Sequence, residues 1–223
     1  MSNFAGKGKQ SGFTLIEIAI VLVIVGLLLG GVLQGQQLIE NARIRGAVND
    51  FTGVSTAIYS YQDQYRRLPG DDGPLATLQA RGGNWTTITA ASTPGPNGLL
   101  AGANVGNTFT GASGEHIGLW QHLRAAGYVA GDQTIATAGA ILPSNPFGGQ
   151  TAVTSVLAVG LPLNTLKVCM NNVPQAAALA LDTRLDDGKP DTGSFRASAG
   201  TALSATAATN YSTAGVYAVC KTM

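Results

Sequence analysis

The sequence contains few charged residues. Aspartate, glutamate, lysine and arginine make up 11% of its 223 residues, and the formal net charge is +1. An ordinary cytosolic enzyme carries about twice that share of charged residues. The composition therefore indicates no basic surface for nucleic acid or acidic lipid. It favours a secreted domain rich in glycine, alanine and threonine.

The sequence also lacks the common catalytic motifs. It has no G-x-S-x-G, no P-loop, no G-x-G-x-x-G after a predicted strand and no H-E-x-x-H. His116 and His122 are six residues apart on a predicted short helix, so they point to different faces. We interpret both as surface or packing residues. We predict no enzymatic activity, no catalytic residue and no bound cofactor.

One long apolar run lies near the N-terminus. Residues 13–33 contain a single charged residue, Glu17, and a helix of this length spans the roughly 30 Å of a bilayer core. Residues 1–12 contain Lys7 and Lys9 but no acidic residue, so the positive-inside rule keeps them in the cytoplasm. We therefore predict a single-pass transmembrane helix in the inner membrane, with the C-terminal domain outside.

The start of this run resembles a known processing signal. A basic leader, residues 1–12, ends in Gly12 and is followed by FTLIE and then by the rest of the apolar run. This order and spacing resemble the prepilin leader and mature N-terminus of type IV pilins and type II secretion pseudopilins. The resemblance implies that prepilin peptidase cleaves between Gly12 and Phe13 and methylates the new amine. It also implies that Glu17, the fifth mature residue, acts in assembly with other pilin or pseudopilin subunits.

One position departs from the family pattern. Many type IV pilins and the major pseudopilin carry proline at the twenty-second mature residue, which is Gln34 in this chain. Gly30 and Gly31 lie one turn earlier, and each costs a helix about 1 kcal/mol relative to alanine. The departure favours a minor or initiating subunit over a major one.

Residues 34–67 continue the membrane helix as an amphipathic one, because apolar residues recur at spacings of three and four. A proline and several turn formers follow and end it. This long helix resembles the pilin spine helix, whose outer half packs on a sheet. The apolar residues are Ile44, Val48, Phe51, Val54, Ile58, Tyr61 and Tyr65.

Residues 68–223 are predicted to form the globular domain. Residues 76–113 lack periodicity and form a long loop, with one short strand at residues 85–89. A helix followed by an antiparallel sheet indicates an α+β fold. Further helices are predicted at residues 115–126 and 174–184, and strands at 134–136, 152–159, 166–170, 194–197 and 217–220.

Cysteine is scarce as well. Cys169 and Cys220 both lie in the predicted exported part, which is an oxidising compartment. We predict a disulfide that closes a loop of about fifty residues and stabilises the domain by about 4 kcal/mol in the chain-entropy model. Two buried free thiols are the alternative.

One acidic loop, residues 185–193, contains Asp186, Asp187 and Asp191. Carboxylate oxygens are Ca²⁺ ligands, and some pseudopilins carry a calcium loop near the C-terminal end of the domain. The spacing does not match an EF-hand, and aspartate beside glycine or proline is an ordinary turn former. The residues favour a structural turn, with calcium as the alternative.

Together these features predict a structural subunit of a type IV pilus or a type II secretion pseudopilus. The alternative function is a periplasmic binding module or enzyme that is tethered to the membrane and does not assemble.

Overall fold

The computed structural model describes residues 14–90, 95–100, 104–110, 114–135, 141–212 and 215–223. The chain divides into two compact units, Met1–Ala42 and Arg43–Met223.

The first helix, α1, runs over Leu15–Tyr65 and contains 51 residues. It is continuous through Gly30 and Gly31. It ends two residues before the predicted boundary at residue 67, because Arg66 has φ 54°. A left-handed residue cannot continue a right-handed helix.

In the second unit, α1 packs one face into the core. The amphipathic spacing seen in the sequence produces this face. The Phe51 ring contacts the Phe195 ring edge to face, with 5.7 Å between centroids. The buried residues of α1 are Ile44, Ala47, Phe51, Ala57, Ile58 and Tyr61.

The sheet has four antiparallel strands in the order β1-β2-β4-β3. The α+β prediction is confirmed. The predicted strand 152–159 is too long: the chain leaves the sheet after Thr154, and Val159 has φ 48°, which extended backbone excludes. The strands are β1 (Thr151–Thr154), β2 (Lys167–Pro174), β3 (Phe195–Ala199) and β4 (Val216–Thr222).

The described part of the domain also contains three shorter α-helices, α2 (Leu75–Gln79), α3 (Glu115–Ala125) and α4 (Gln175–Leu185), and two 3-10 helices, Gly83–Thr87 and Val105–Asn107. Every residue of α3 is buried. This helix therefore lies wholly within the core of the domain.

The strand predicted at residues 85–89 is wrong, because Gly83–Thr87 forms a 3-10 helix. The hydroxyls of Thr86 and Thr87 each donate to a carbonyl three residues earlier, at 2.9 and 3.2 Å. Such local hydrogen bonds compete with extended structure.

The strand predicted at residues 134–136 is not formed at Thr134 and Ile135, and residue 136 lies outside the described residues. The Asp132 carboxylate accepts hydrogen bonds from the Thr134 N–H, at 2.8 Å, and from its hydroxyl, at 2.7 Å. These contacts form a turn in place of a strand.

Candidate processing and assembly site

Among the described residues of the first unit, the apolar stretch of α1, residues 15–33, has no packing partner. None of the described residues in 14–43 is buried, and Leu15 and Leu27 are 92% and 74% exposed. Among the described helices, α1 alone is long and apolar enough to cross a membrane. Exposed apolar surface of this extent marks an interaction with lipid or protein.

The helix begins at a reciprocal cap formed by Thr14 and Glu17. The Glu17 carboxylate accepts hydrogen bonds from the Thr14 N–H, at 2.7 Å, and from the Thr14 hydroxyl, at 2.8 Å. The Glu17 N–H donates to the Thr14 hydroxyl oxygen at 3.3 Å. This is the capping box of a Thr-x-x-Glu sequence, and it satisfies donors that the first turn of a helix leaves unpaired.

The sequence analysis assigned Glu17 to assembly and missed its role in starting the helix. The signal was present, since Thr14 precedes Glu17 by three residues at the head of an apolar run. The predicted cleavage pair, Gly12 and Phe13, lies outside the described residues.

Comparison with protein-family models identifies this region. Residues 7–33 match the model described as the prokaryotic N-terminal methylation motif. The chain therefore begins with the prepilin-type signal of type IV pilins and pseudopilins. No curated protein matches the chain. The signal and the apolar helix fit a precursor anchored in the inner membrane.

The structure contains the disulfide that was predicted from the sequence. Cys169 on β2 and Cys220 on β4 lie directly opposite each other and are bonded, with 4.1 Å between their Cα atoms. Both cysteines are buried. The bond connects the last strand to its neighbour, and the alternative of two free thiols is excluded.

The structure brings two of the three predicted loop acids together. Asp186 and Asp187 join Asp182 of α4 in a group whose carboxylate oxygens lie within 4.8 Å of one another. Asp191 does not belong to this group. Asp182 was missed by the sequence analysis, although it precedes Asp186 by one helical turn.

Hydrogen bonds from the chain already engage the two loop acids. Asp186 accepts from the backbone N–H groups of Ser194 and Phe195, the latter at 2.8 Å. Asp187 accepts from the Lys189 N–H, at 2.9 Å, and from the Thr192 hydroxyl. These contacts are those expected of a structural turn.

Asp182 is buried and contacts two donors. The Tyr211 hydroxyl donates at 2.6 Å and the Gly188 N–H at 3.1 Å. Burial is the main cause that raises the pKa of Asp182, to about 6, and the two hydrogen bonds oppose it. The negative charges of Asp187 and Asp186 raise it further.

A second polar cluster fixes the segment that follows α1. Asp72 forms a bidentate ion pair with Arg81, at 2.7 and 3.0 Å, and accepts a hydrogen bond from the Tyr61 hydroxyl. The Arg81 guanidinium lies over the rings of Tyr65 and Trp85, 4.5 and 4.6 Å from their centroids. These contacts attach residues 72–85 to the last turns of α1. The sequence analysis had interpreted the residues that follow the helix only as turn formers.

His122 is a packing residue. The Gly70 N–H donates to its Nδ1 at 2.9 Å, so Nε2 carries the proton and donates to the Ala90 carbonyl, at 3.2 Å. Burial lowers the pKa of His122 to about 4, which keeps the ring neutral near pH 7. His116 is also buried. The sequence analysis interpreted both as surface or packing residues, and the burial of both side chains shows that they are packing residues.

Proposed function

We propose that this protein is a filament subunit, either a minor pilin of a type IV pilus or a pseudopilin of a type II secretion system. The observation that carries the proposal is the exposed apolar stretch of α1, which begins at a prepilin-type signal. Prepilin peptidase would remove residues 1–12 at the cytoplasmic face of the inner membrane and methylate Phe13. The stretch would then pack against equivalent helices of other subunits.

The assignment to a minor subunit rests on two features of the chain. Gln34 stands where many type IV pilins and the major pseudopilin carry proline, and α1 is continuous there. The connection between α1 and the sheet is also long, and it contains α2 and α3. Such a connection suits a subunit with its own contact surface more than one repeated along a filament.

Glu17 would contribute through its charge. Cleavage after Gly12 creates an amine on Phe13, one residue before the capping threonine. Glu17 of an incoming subunit would pair with that amine of a neighbour, as the resemblance implies. Two unit charges about 4 Å apart attract by about 1 kcal/mol in water and by several in a less polar setting. Removing one partner of a buried pair costs about 3 to 5 kcal/mol.

Mass spectrometry of the membrane-extracted protein tests the processing step. We expect a mature chain that begins with methylated Phe13. Gly12→Leu should accumulate in the membrane as the uncleaved precursor, because the small residue before the cleaved bond is lost. An intact Met1 on wild-type protein, or a first residue beyond 33, would contradict the proposal.

Variants at the capping box test the assembly step. Glu17→Gln keeps an oxygen acceptor for Thr14 but loses the charge, and Thr14→Ala keeps the charge but loses the hydroxyl. We expect Glu17→Gln and Glu17→Ala to be cleaved and folded but missing from sheared filaments, while Thr14→Ala is incorporated. Incorporation of Glu17→Gln at the wild-type level would remove the charge-pairing role and leave only the helix cap.

The same assay separates the alternative function. A periplasmic binding module or enzyme that is only tethered by α1 would tolerate Glu17→Ala, because no neighbouring amine is needed. It would also stay with the membrane fraction after shearing and would not crosslink to other pilins.

A further inference from the structure

The chain contains one asparagine that is followed by glycine, at Asn97–Gly98. Both residues are exposed. They line a cleft of about 560 Å³ in the second unit, together with Arg66, Arg67 and Asp71. Water therefore reaches both residues of the pair.

The Asp71 carboxylate holds the backbone N–H groups of this pair. Its Oδ2 accepts a hydrogen bond from the Asn97 N–H, at 2.8 Å, and another from the Gly98 N–H. Asp71 is buried, so its carboxylate is held in place beneath the exposed pair. A carboxylate that accepts from an N–H group can act as a general base when that nitrogen attacks a carbonyl carbon.

The Asn97 side chain supplies the carbonyl carbon. The Leu99 N–H donates to Asn97 Oδ1 at 2.9 Å. This hydrogen bond closes a ring that contains both the side-chain carbonyl carbon of Asn97 and the Gly98 nitrogen. It also polarises the carbonyl, because the donor would stabilise negative charge that develops on the oxygen. Gly98 has no side chain to shield its nitrogen, and the space beside it is open.

We propose that Asn97–Gly98 is a site of self-modification, at which Asp71 promotes the conversion of Asn97 to aspartate and isoaspartate. The Gly98 nitrogen attacks the side-chain carbonyl carbon of Asn97, and the proton of the Gly98 N–H passes to the Asp71 carboxylate. That proton then goes to the side-chain amide nitrogen, the bond between the carbonyl carbon and this nitrogen breaks, and ammonia leaves. The product is a five-membered succinimide, which water opens at either of its two carbonyl groups.

The reaction changes the charge of the cleft. Either product adds a carboxylate at residue 97 to a cleft that already contains Asp71. Because like charges repel, the modified segment should bind Asp71 less firmly. Arg66 and Arg67 line the same cleft and supply positive charge for the new carboxylate. The site lies within Arg43–Met223 alone, so its test does not depend on whether α1 enters a filament.

The test is incubation of the full chain in detergent micelles at neutral pH, followed by peptide mapping with mass spectrometry. We expect Asn97 to lose ammonia and then gain water, which yields both aspartate and isoaspartate at this position. Asp71→Asn keeps an oxygen acceptor for the two N–H groups but removes the base. It should slow the conversion by at least about tenfold, since a positioned base contributes roughly 10²–10⁴. The matched control is Asp191→Asn, which removes an exposed acid outside the cleft and should leave the rate unchanged.

Thermal melts verify that both variants are folded. If Asp71→Asn does not fold, a peptide of residues 95–100 replaces it, because this peptide contains Asn97–Gly98 without Asp71, and the native chain should convert faster than the peptide. Two results would overturn the proposal. One is an Asn97 that stays unchanged in the incubated native chain. The other is conversion in folded Asp71→Asn, or in the peptide that replaces it, as fast as in wild type, since the glycine alone would then account for the reaction.

Discussion

Residues 15–42 and residues 43–65 of α1 are both helical, but their apolar side chains differ in how far the domain buries them. Leu27, in residues 15–42, is 74% exposed, whereas Phe51, in residues 43–65, is 2% exposed and packs on β3. Complete burial of a large apolar side chain contributes about 1.5–3 kcal/mol. The second stretch obtains this free energy from its own domain. The first must obtain it from lipid or from another protein.

The hydrophobic pattern of each stretch indicates what buries it. Apart from Glu17, residues 15–33 of the first stretch are apolar around the whole circumference of the helix, which suits a lipid or filament interior. The second has an apolar stripe, which suits one protein face. The stability of the domain should therefore be insensitive to the first stretch and sensitive to the second.

A pair of core truncations tests this with the largest expected effect. Phe51→Ala should lower the free energy of unfolding by about 3–5 kcal/mol, because it leaves a cavity against Phe195. Leu27→Ala should leave the melting temperature of the domain within error. Thermal melts of both variants in the same detergent make the comparison. Equal destabilisation would mean that residues 15–42 pack on protein within one chain.

Removal of the disulfide should have the next largest effect. The double variant Cys169→Ala, Cys220→Ala should lose about 2–5 kcal/mol, because the unfolded chain regains the freedom of the loop closed by the bond. Denaturant unfolding under oxidising conditions measures the loss. Reduced wild type should have the same free energy of unfolding as the double variant. A double variant as stable as oxidised wild type would contradict this account.

Much of the architecture could be predicted from local patterns. The structure contains α1, α4 and the strands that were predicted at residues 166–170, 194–197 and 217–220. These elements could be predicted because their spacing or β-branched content reflects the face they bury. The disulfide followed from the compartment and the number of cysteines.

The misses have two physical causes. The strands predicted at residues 85–89 and 134–136 are replaced by local hydrogen bonds of the Thr86, Thr87 and Asp132 side chains. The buried polar contacts instead join residues that are distant in the sequence. Asp182 and Tyr211 are 29 residues apart. No local pattern links such partners, so the buried polar contacts of the domain were invisible in the sequence.

The change of the free energy of unfolding with pH should be smaller than the effect of removing the disulfide. Two buried groups, His122 and Asp182, change this free energy in opposite directions as the pH rises. The folded pKa of His122, about 4, lies below its unfolded value near 6.5, so stability rises with pH across that window. The folded pKa of Asp182, about 6, lies above its unfolded value near 4, so stability falls with rising pH there. Each group contributes at most about 1.4 kcal/mol per pH unit.

Single variants should separate the two slopes. Between pH 4 and 6, His122→Gln should become less stable as the pH rises, and Asp182→Asn should become more stable. Chemical unfolding at several pH values measures the slope, which is independent of the absolute loss caused by each substitution. Slopes of the same sign in the two variants would contradict this assignment.

The smallest expected effect concerns the acidic loop, residues 185–193. We predict that hydrogen bonds from the domain itself, rather than a metal ion, satisfy its carboxylates. Donors from Ser194, Phe195, Lys189 and Thr192 already engage Asp186 and Asp187, so chelation should leave the melting temperature unchanged. A specific ion at 100 times its Kd would stabilise the domain by about 2.7 kcal/mol, which a thermal melt detects readily. The calcium alternative makes the opposite prediction: a chelator lowers the melting temperature, Asp187→Ala abolishes that difference, and Asp191→Ala, outside the group of three, preserves it. That outcome would show that this loop, like the exposed stretch of α1, depends on a partner outside the chain.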